Sequence, residues 1–129
     1  MKIRPAFLLL LIFGILLIAG CGNKKKEEFK KDVAGLGDVM CRIMEVSNKL
    51  LASQSATPMD IQVIEELQMK KDSLESKMNE LNTEFKKKYE KQMTDPEFIK
   101  DFRTEIKKTM LDCKYLSKED RERYEKEVE

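Results

Sequence analysis

The sequence predicts an all-α protein: an antiparallel three-helix bundle, or a long helical hairpin with a third helix packed along it, following an N-terminal signal peptide. Three observations lead there. Apolar residues recur at alternating steps of three and four in three separate stretches, the mark of a buried helical stripe. No segment alternates apolar and polar residues as a half-buried strand does. Neither Gly nor Pro occurs from Ile61 to Met93, a run long enough for about 50 Å of helix.

Composition narrows the chemistry. The chain has 129 residues, 41% apolar and 38% charged, enough for one domain with a thin core. The 25 Lys and Arg against 24 Asp and Glu leave no basic excess to bind phosphate backbones, which argues against a nucleic-acid role. There is no His, the commonest residue of acid–base and metal chemistry, and no Trp. The averages conceal two regimes, because every residue from Ala6 to Ala19 except Gly14 has an apolar side chain, whereas Lys and Glu dominate the rest of the chain.

The first element is therefore the N-terminus. Lys2 and Arg4 precede the apolar run, and small residues lead to Cys21, the layout of a signal peptide over residues 1–20. The run is too short for a comfortable membrane span of roughly 20 apolar residues and is interrupted by Gly14, so a spanning helix is the second reading. The tetrapeptide Ile18-Ala19-Gly20-Cys21 resembles the lipobox of bacterial lipoproteins. That resemblance covers residues 1–21 and implies that the Cys21 thiol accepts a diacylglyceryl group, that cleavage occurs just before it, and that the new amino terminus is acylated. Two or more acyl chains anchor a protein stably where one does not. Membrane attachment through Cys21, in a bacterial cell envelope, is the expectation. The absence of Asp directly after Cys21 favours the outer over the inner membrane where two exist. Residues 21–28, with Lys24 to Lys26 followed by Glu27 and Glu28, read as a solvated, lipidated tether.

The helical domain is expected over residues 29–129. Its first helix carries Phe29, Val33, Leu36, Met40, Ile43, Ser47 and Leu50, weakened by Gly35 and Gly37, where a break could fall. Thr57-Pro58-Met59-Asp60 is a start signal, with Thr57 as cap, Pro58 in the first turn and Asp60 completing an acidic capping box. Ile64, Leu67, Lys71, Leu74, Met78, Leu81 and Phe85 then keep coiled-coil spacing, and Tyr89 extends the stripe. Asp95-Pro96-Glu97 opens a third helix bearing Ile99, Phe102, Ile106, Met110 and Cys113, and Ser117 can cap a short terminal one with Tyr124 and Val128. Turns are placed at 53–57 and 94–95.

Few residues offer chemistry. With Cys21 given to lipid, Cys41 and Cys113 form an even pair in an oxidising compartment, and a disulfide is the economical reading, with two buried free thiols as the alternative. Folding the chain at the expected turns leaves them about 7 residues out of register, or about 10 Å, which tests that pairing severely. Two thiols without His make neither a zinc site nor an activated nucleophile, and they lack the Cys-x-x-Cys spacing of a redox pair. The eight Met read as flexible core filler, and the Glu/Lys interleaving reads as solvated helix faces. No catalytic, metal or cofactor site is expected. The function this supports is a lipid-anchored envelope lipoprotein whose domain is a non-enzymatic interaction or structural module for an unknown protein partner. A periplasmic holdase-like client binder, marked by exposed apolar residues at the hairpin tip, and an immunity or exclusion lipoprotein are the alternatives.

Overall fold

The computed structural model describes the backbone of residues 5–128 and the side chains of residues 22–128. The fold is all-α, with no strand among the described residues. Four helices follow one another: α1 (Pro5–Gln54), α2 (Ile61–Lys88), α3 (Pro96–Leu111) and α4 (Lys118–Val128). The chain divides between Lys31 and Asp32 into two units. Residues 22–28, read from the sequence as a tether, are helical and exposed throughout, because Lys and Glu are good helix formers even without a face to bury. No break occurs at Gly35 or Gly37, and neither has a positive φ.

Within the second unit, α1 and α2 form a hairpin whose open end, opposite the connecting loop, is fixed by polar bonds. Lys88 Nζ and Tyr89 Oη both donate to Asp32 Oδ2, at 2.6 and 2.8 Å. The stripe expected on α2 is the face that turns inward: Ile64, Leu67, Lys71, Leu74, Met78 and Leu81 are half-buried, and Phe85 and Tyr89 are buried. On α1 the expected Val33, Leu36 and Leu50 are buried, and so are Val39 and Val46, a second line that a single-stripe reading misses. A helix packed against two neighbours buries a face wider than one stripe.

Both turns differ from expectation, for local reasons. The first spans 55–60, and the cap of α2 is Asp60, whose carboxylate accepts from Val63 N at 3.2 Å, so Thr57 and the cis Pro58 remain in the loop. A carboxylate at the cap position satisfies an orphan N–H that Thr57, farther back, does not reach. The second turn begins at Tyr89 rather than near Met93, with no Gly or Pro to stop the helix. Packing ends it: the Tyr89 ring lies 4.6 Å from Phe85 and 5.4 Å from Phe98, which turns the chain back toward α3. Phe102 stacks on Phe85 as well, with centroids 5.1 Å apart, and Phe98 takes the inward place expected of Ile99, which is exposed.

The α3 start is as the sequence predicts, with Pro96 in the first turn and Asp95 Oδ1 accepting from Glu97 N at 3.0 Å. Gly37 of α1 lies directly under Thr109: a Cβ built there would clash with the Thr109 methyl and lie 3.0 Å from Thr109 Cβ. Gly35, two residues earlier, faces open space. At the end of α3, Met110, Cys113 and Leu116 form a buried cluster against Met40, Cys41 and Met44 of α1 and Tyr124 of α4. Ser117 caps α4 as expected, its Oγ accepting from Asp120 N at 3.1 Å. Arg121 then reaches back to donate to the carbonyls of Leu111 and Cys113, which the end of α3 leaves without helical partners.

Candidate functional site

The two cysteines meet. Cys41 and Cys113 form a disulfide with Sγ atoms 2.03 Å apart and Cα atoms 5.6 Å apart, within the ordinary range for such a bond. Reflection through ideal turns overstated their separation because α2 ends at Lys88 rather than near Met93, and because α3 contacts α1 directly. Gly37 meets Thr109 and Cys41 meets Cys113, so α3 lies beside α1 in the same direction with a constant offset of 72 residues. The Gly supplies close approach and the disulfide locks it one helical turn further on.

A shallow depression of about 170 Å³ opens over this bond, lined by Gly37, Asp38, Cys41, Thr109, Asp112 and Cys113. Asp38 is paired with Arg42 at 3.1 Å, which leaves the exposed Asp112 to set the local sign. An attacking thiolate approaches against that negative charge, and Cys113 is only 3% exposed.

Just beyond it, Glu45 accepts from Lys49 at 2.7 Å and from Tyr115, bonds that hold its carboxyl below the usual carboxylate range. The same pairing raises the Lys49 ammonium. The α3 side of the domain ends at this contact. Beyond this contact α1 continues to Gln54, and the loop 55–60 and the start of α2 complete that end of the hairpin.

The tip of the hairpin carries a group of exposed apolar side chains. Leu51, Met59, Ile61 and Val63 are exposed by 62, 57, 67 and 40%, and Met69 lies farther along α2 at 65%. From Leu50 to Met69 the chain carries three carboxylates, Asp60, Glu65 and Glu66, and no Lys or Arg. Lys49 and Lys70 flank that stretch, and although single exposed apolar side chains are ordinary, several grouped at one end of a hairpin resemble a contact surface. The sequence did hold a signal for it: Leu51, Ile61 and Val63 fall off the 3-4 stripes beside a turn, where an apolar residue has no core to enter.

The other expected residues divide plainly. The side chains of Cys21, of the rest of the lipobox and of the apolar run before it lie outside those described. Among the described residues no helix is long and apolar enough to cross a membrane, and no cluster of three or more Cys, Asp or Glu is arranged to hold a metal ion. Met40, Met44 and Met110 pack in or against the core, as filler should. No protein-family model, curated protein or solved structure matches the chain.

Proposed function

We propose that this protein is a lipid-anchored envelope lipoprotein, held at the membrane through Cys21, whose helical domain is a non-enzymatic interaction module that engages a protein partner with the tip of its α1–α2 hairpin. The observation that carries the reading is the exposed apolar group Leu51, Met59, Ile61 and Val63 at the turn end of the hairpin. Burying four such side chains in a partner would contribute on the order of 1.5–3 kcal/mol each, before the costs of association.

The same exposed tip also favours a holdase-like binder that grips unfolded clients, and one experiment separates the two. A photo-crosslinking residue at Ile61, in the membrane-anchored protein in its own cells, is expected to give one discrete adduct, while the same residue at Lys118 gives none. Leu51→Asp with Ile61→Asp should abolish the adduct and leave stability within about 0.5 kcal/mol, since both side chains already face solvent. A heterogeneous smear at Ile61, together with protection of a denatured client from aggregation that the double variant loses, would establish the holdase reading. No adduct and no protection would refute the tip as a contact surface.

A further inference from the structure

The end of the domain opposite the tip has the reverse character. Asp32 is bonded to Lys88 and Tyr89, so the α2–α3 turn lies at the point where the helical domain joins the rest of the chain. Asp32 lies eleven steps along the chain from Cys21, a reach of at most about 40 Å fully extended and about 16 Å as helix. Whatever holds Cys21 in a bilayer brings the α2–α3 turn to within that distance of the headgroups.

The residues at that turn suit such a neighbour. Lys86, Lys87 and Lys91 are exposed, and within residues 86–93 only Glu90 opposes them and Lys88. Met93 is 37% exposed at the turn itself. Beside it, α3 lines an open depression of about 410 Å³ with Pro96, Ile99, Lys100, Arg103, Thr104 and Lys107, together with Glu127 of α4, which pairs with Lys107. Lys100 and Arg103 border that depression, and Ile99 is 36% exposed beside them. Glu97 and Asp101 lie on the same helix, and Asp95 is engaged by the Glu97 backbone N–H. Exposed cations beside exposed apolar side chains form the combination that lies in a membrane interface, the cations at phosphates and the apolar groups at the acyl boundary. The contrast with the tip, which has no cation over 20 residues from Leu50 to Met69, gives the domain two chemically distinct ends.

We infer that the α2–α3 turn, through Lys86, Lys87, Lys91, Lys100 and Arg103 with Met93 and Ile99, docks on anionic lipid headgroups and so points the hairpin tip away from the membrane. The inference rests on the Cys21 anchor for its setting, and the test keeps the two apart. Because the chain has no Trp, Met93→Trp and Met59→Trp each introduce a single reporter. The processed full-length protein is reconstituted in vesicles of brominated phosphatidylcholine, with or without phosphatidylglycerol. In phosphatidylglycerol vesicles the Met93→Trp reporter is expected to lose roughly half its emission as it enters the acyl boundary, and to regain it in about 1 M salt, where the Debye length falls to about 3 Å. It should keep its emission in phosphatidylcholine alone, and Met59→Trp should be unquenched in both. Added Lys86→Glu, Lys87→Glu and Lys91→Glu should remove the Met93→Trp quenching while flotation with the vesicles persists. An unquenched Met93→Trp, quenching indifferent to lipid charge, or quenching of Met59→Trp instead would overturn the docking. Failure to float with phosphatidylcholine vesicles would overturn the anchor. In that case charge-dependent flotation with phosphatidylglycerol vesicles, lost in the triple variant, would still support the docking surface, and its absence would overturn that too.

Discussion

Replacing Cys41 and Cys113 together with Ser is expected to destabilise the domain by about 4 kcal/mol. The cross-link closes a loop spanning 72 residues, and in the chain-entropy treatment a loop of that length removes about 4 kcal/mol of freedom from the unfolded chain. The bond also fastens the domain where it has least else to hold it. Apart from Met110, Cys113 and Leu116, little of α3 and α4 is deeply buried. On loss of the bridge α3 and α4 should therefore separate first, whereas the α1–α2 hairpin keeps its own half-buried stripe. Thermal unfolding followed by circular dichroism should show a midpoint lower by on the order of 15–20 °C, with helical signal surviving at temperatures where the α3 contacts are gone. A strong reductant should reproduce the shift in the unaltered chain and have no effect on the double variant. Two alkylatable thiols at these positions before reduction, or a midpoint that does not move, would show that the bridge does not support the fold.

The second large effect is expected at Gly37. Gly37→Ala should destabilise by about 1–3 kcal/mol, although Ala is the better helix former by about 1 kcal/mol. The new methyl would meet Thr109, whose side chain is held by a bond from its Oγ1 to the Glu105 carbonyl at 3.0 Å, and Ile106 Cδ1 lies 3.7 Å from the same point. The disulfide one turn away prevents α1 and α3 from parting to make room. Gly35→Ala is the control: with nothing near its Cβ, it should raise stability by about 0.5–1 kcal/mol. Thr109→Ser removes the opposing methyl and should restore most of what Gly37→Ala loses. Urea unfolding of these variants measures all of this, and equal effects at Gly35 and Gly37 would contradict the close approach.

What the sequence disclosed about this fold was its periodicity and its caps. The α2 stripe from Ile64 to Phe85 is the inward face residue for residue, and Asp95-Pro96 and Ser117 open the helices they were expected to open, because these signals act over three or four residues and need no tertiary partner. The misses are tertiary. Nothing local ends α2 at Lys88; the aromatic group of Phe85, Tyr89 and Phe98 does. Nothing local distinguishes Gly37 from Gly35; only the passage of α3 does. Val39 and Val46 lay outside the single stripe assigned to α1 because a 3-4 stripe traces one line of a helix, and α1 buries a wider face than that. The candidate contact surface was legible only as a residue of the same patterning: Leu51, Ile61 and Val63 are apolar side chains that no stripe could use.

The membrane setting proposed for the hairpin tip and the α2–α3 turn rests on Cys21 carrying lipid and on the mature chain beginning there. The decisive measurement is the intact mass of the protein extracted from membranes, with its amino-terminal peptide fragmented. The expected result is a chain starting at Cys21, bearing a diacylglyceryl group on the thiol and an acyl group on the amine, with Cys21→Ser accumulating as an unmodified chain that retains residues 1–20. A membrane-extracted protein that begins at Met1 with an unmodified Cys21, or one cut elsewhere with that thiol free, would contradict lipid anchoring.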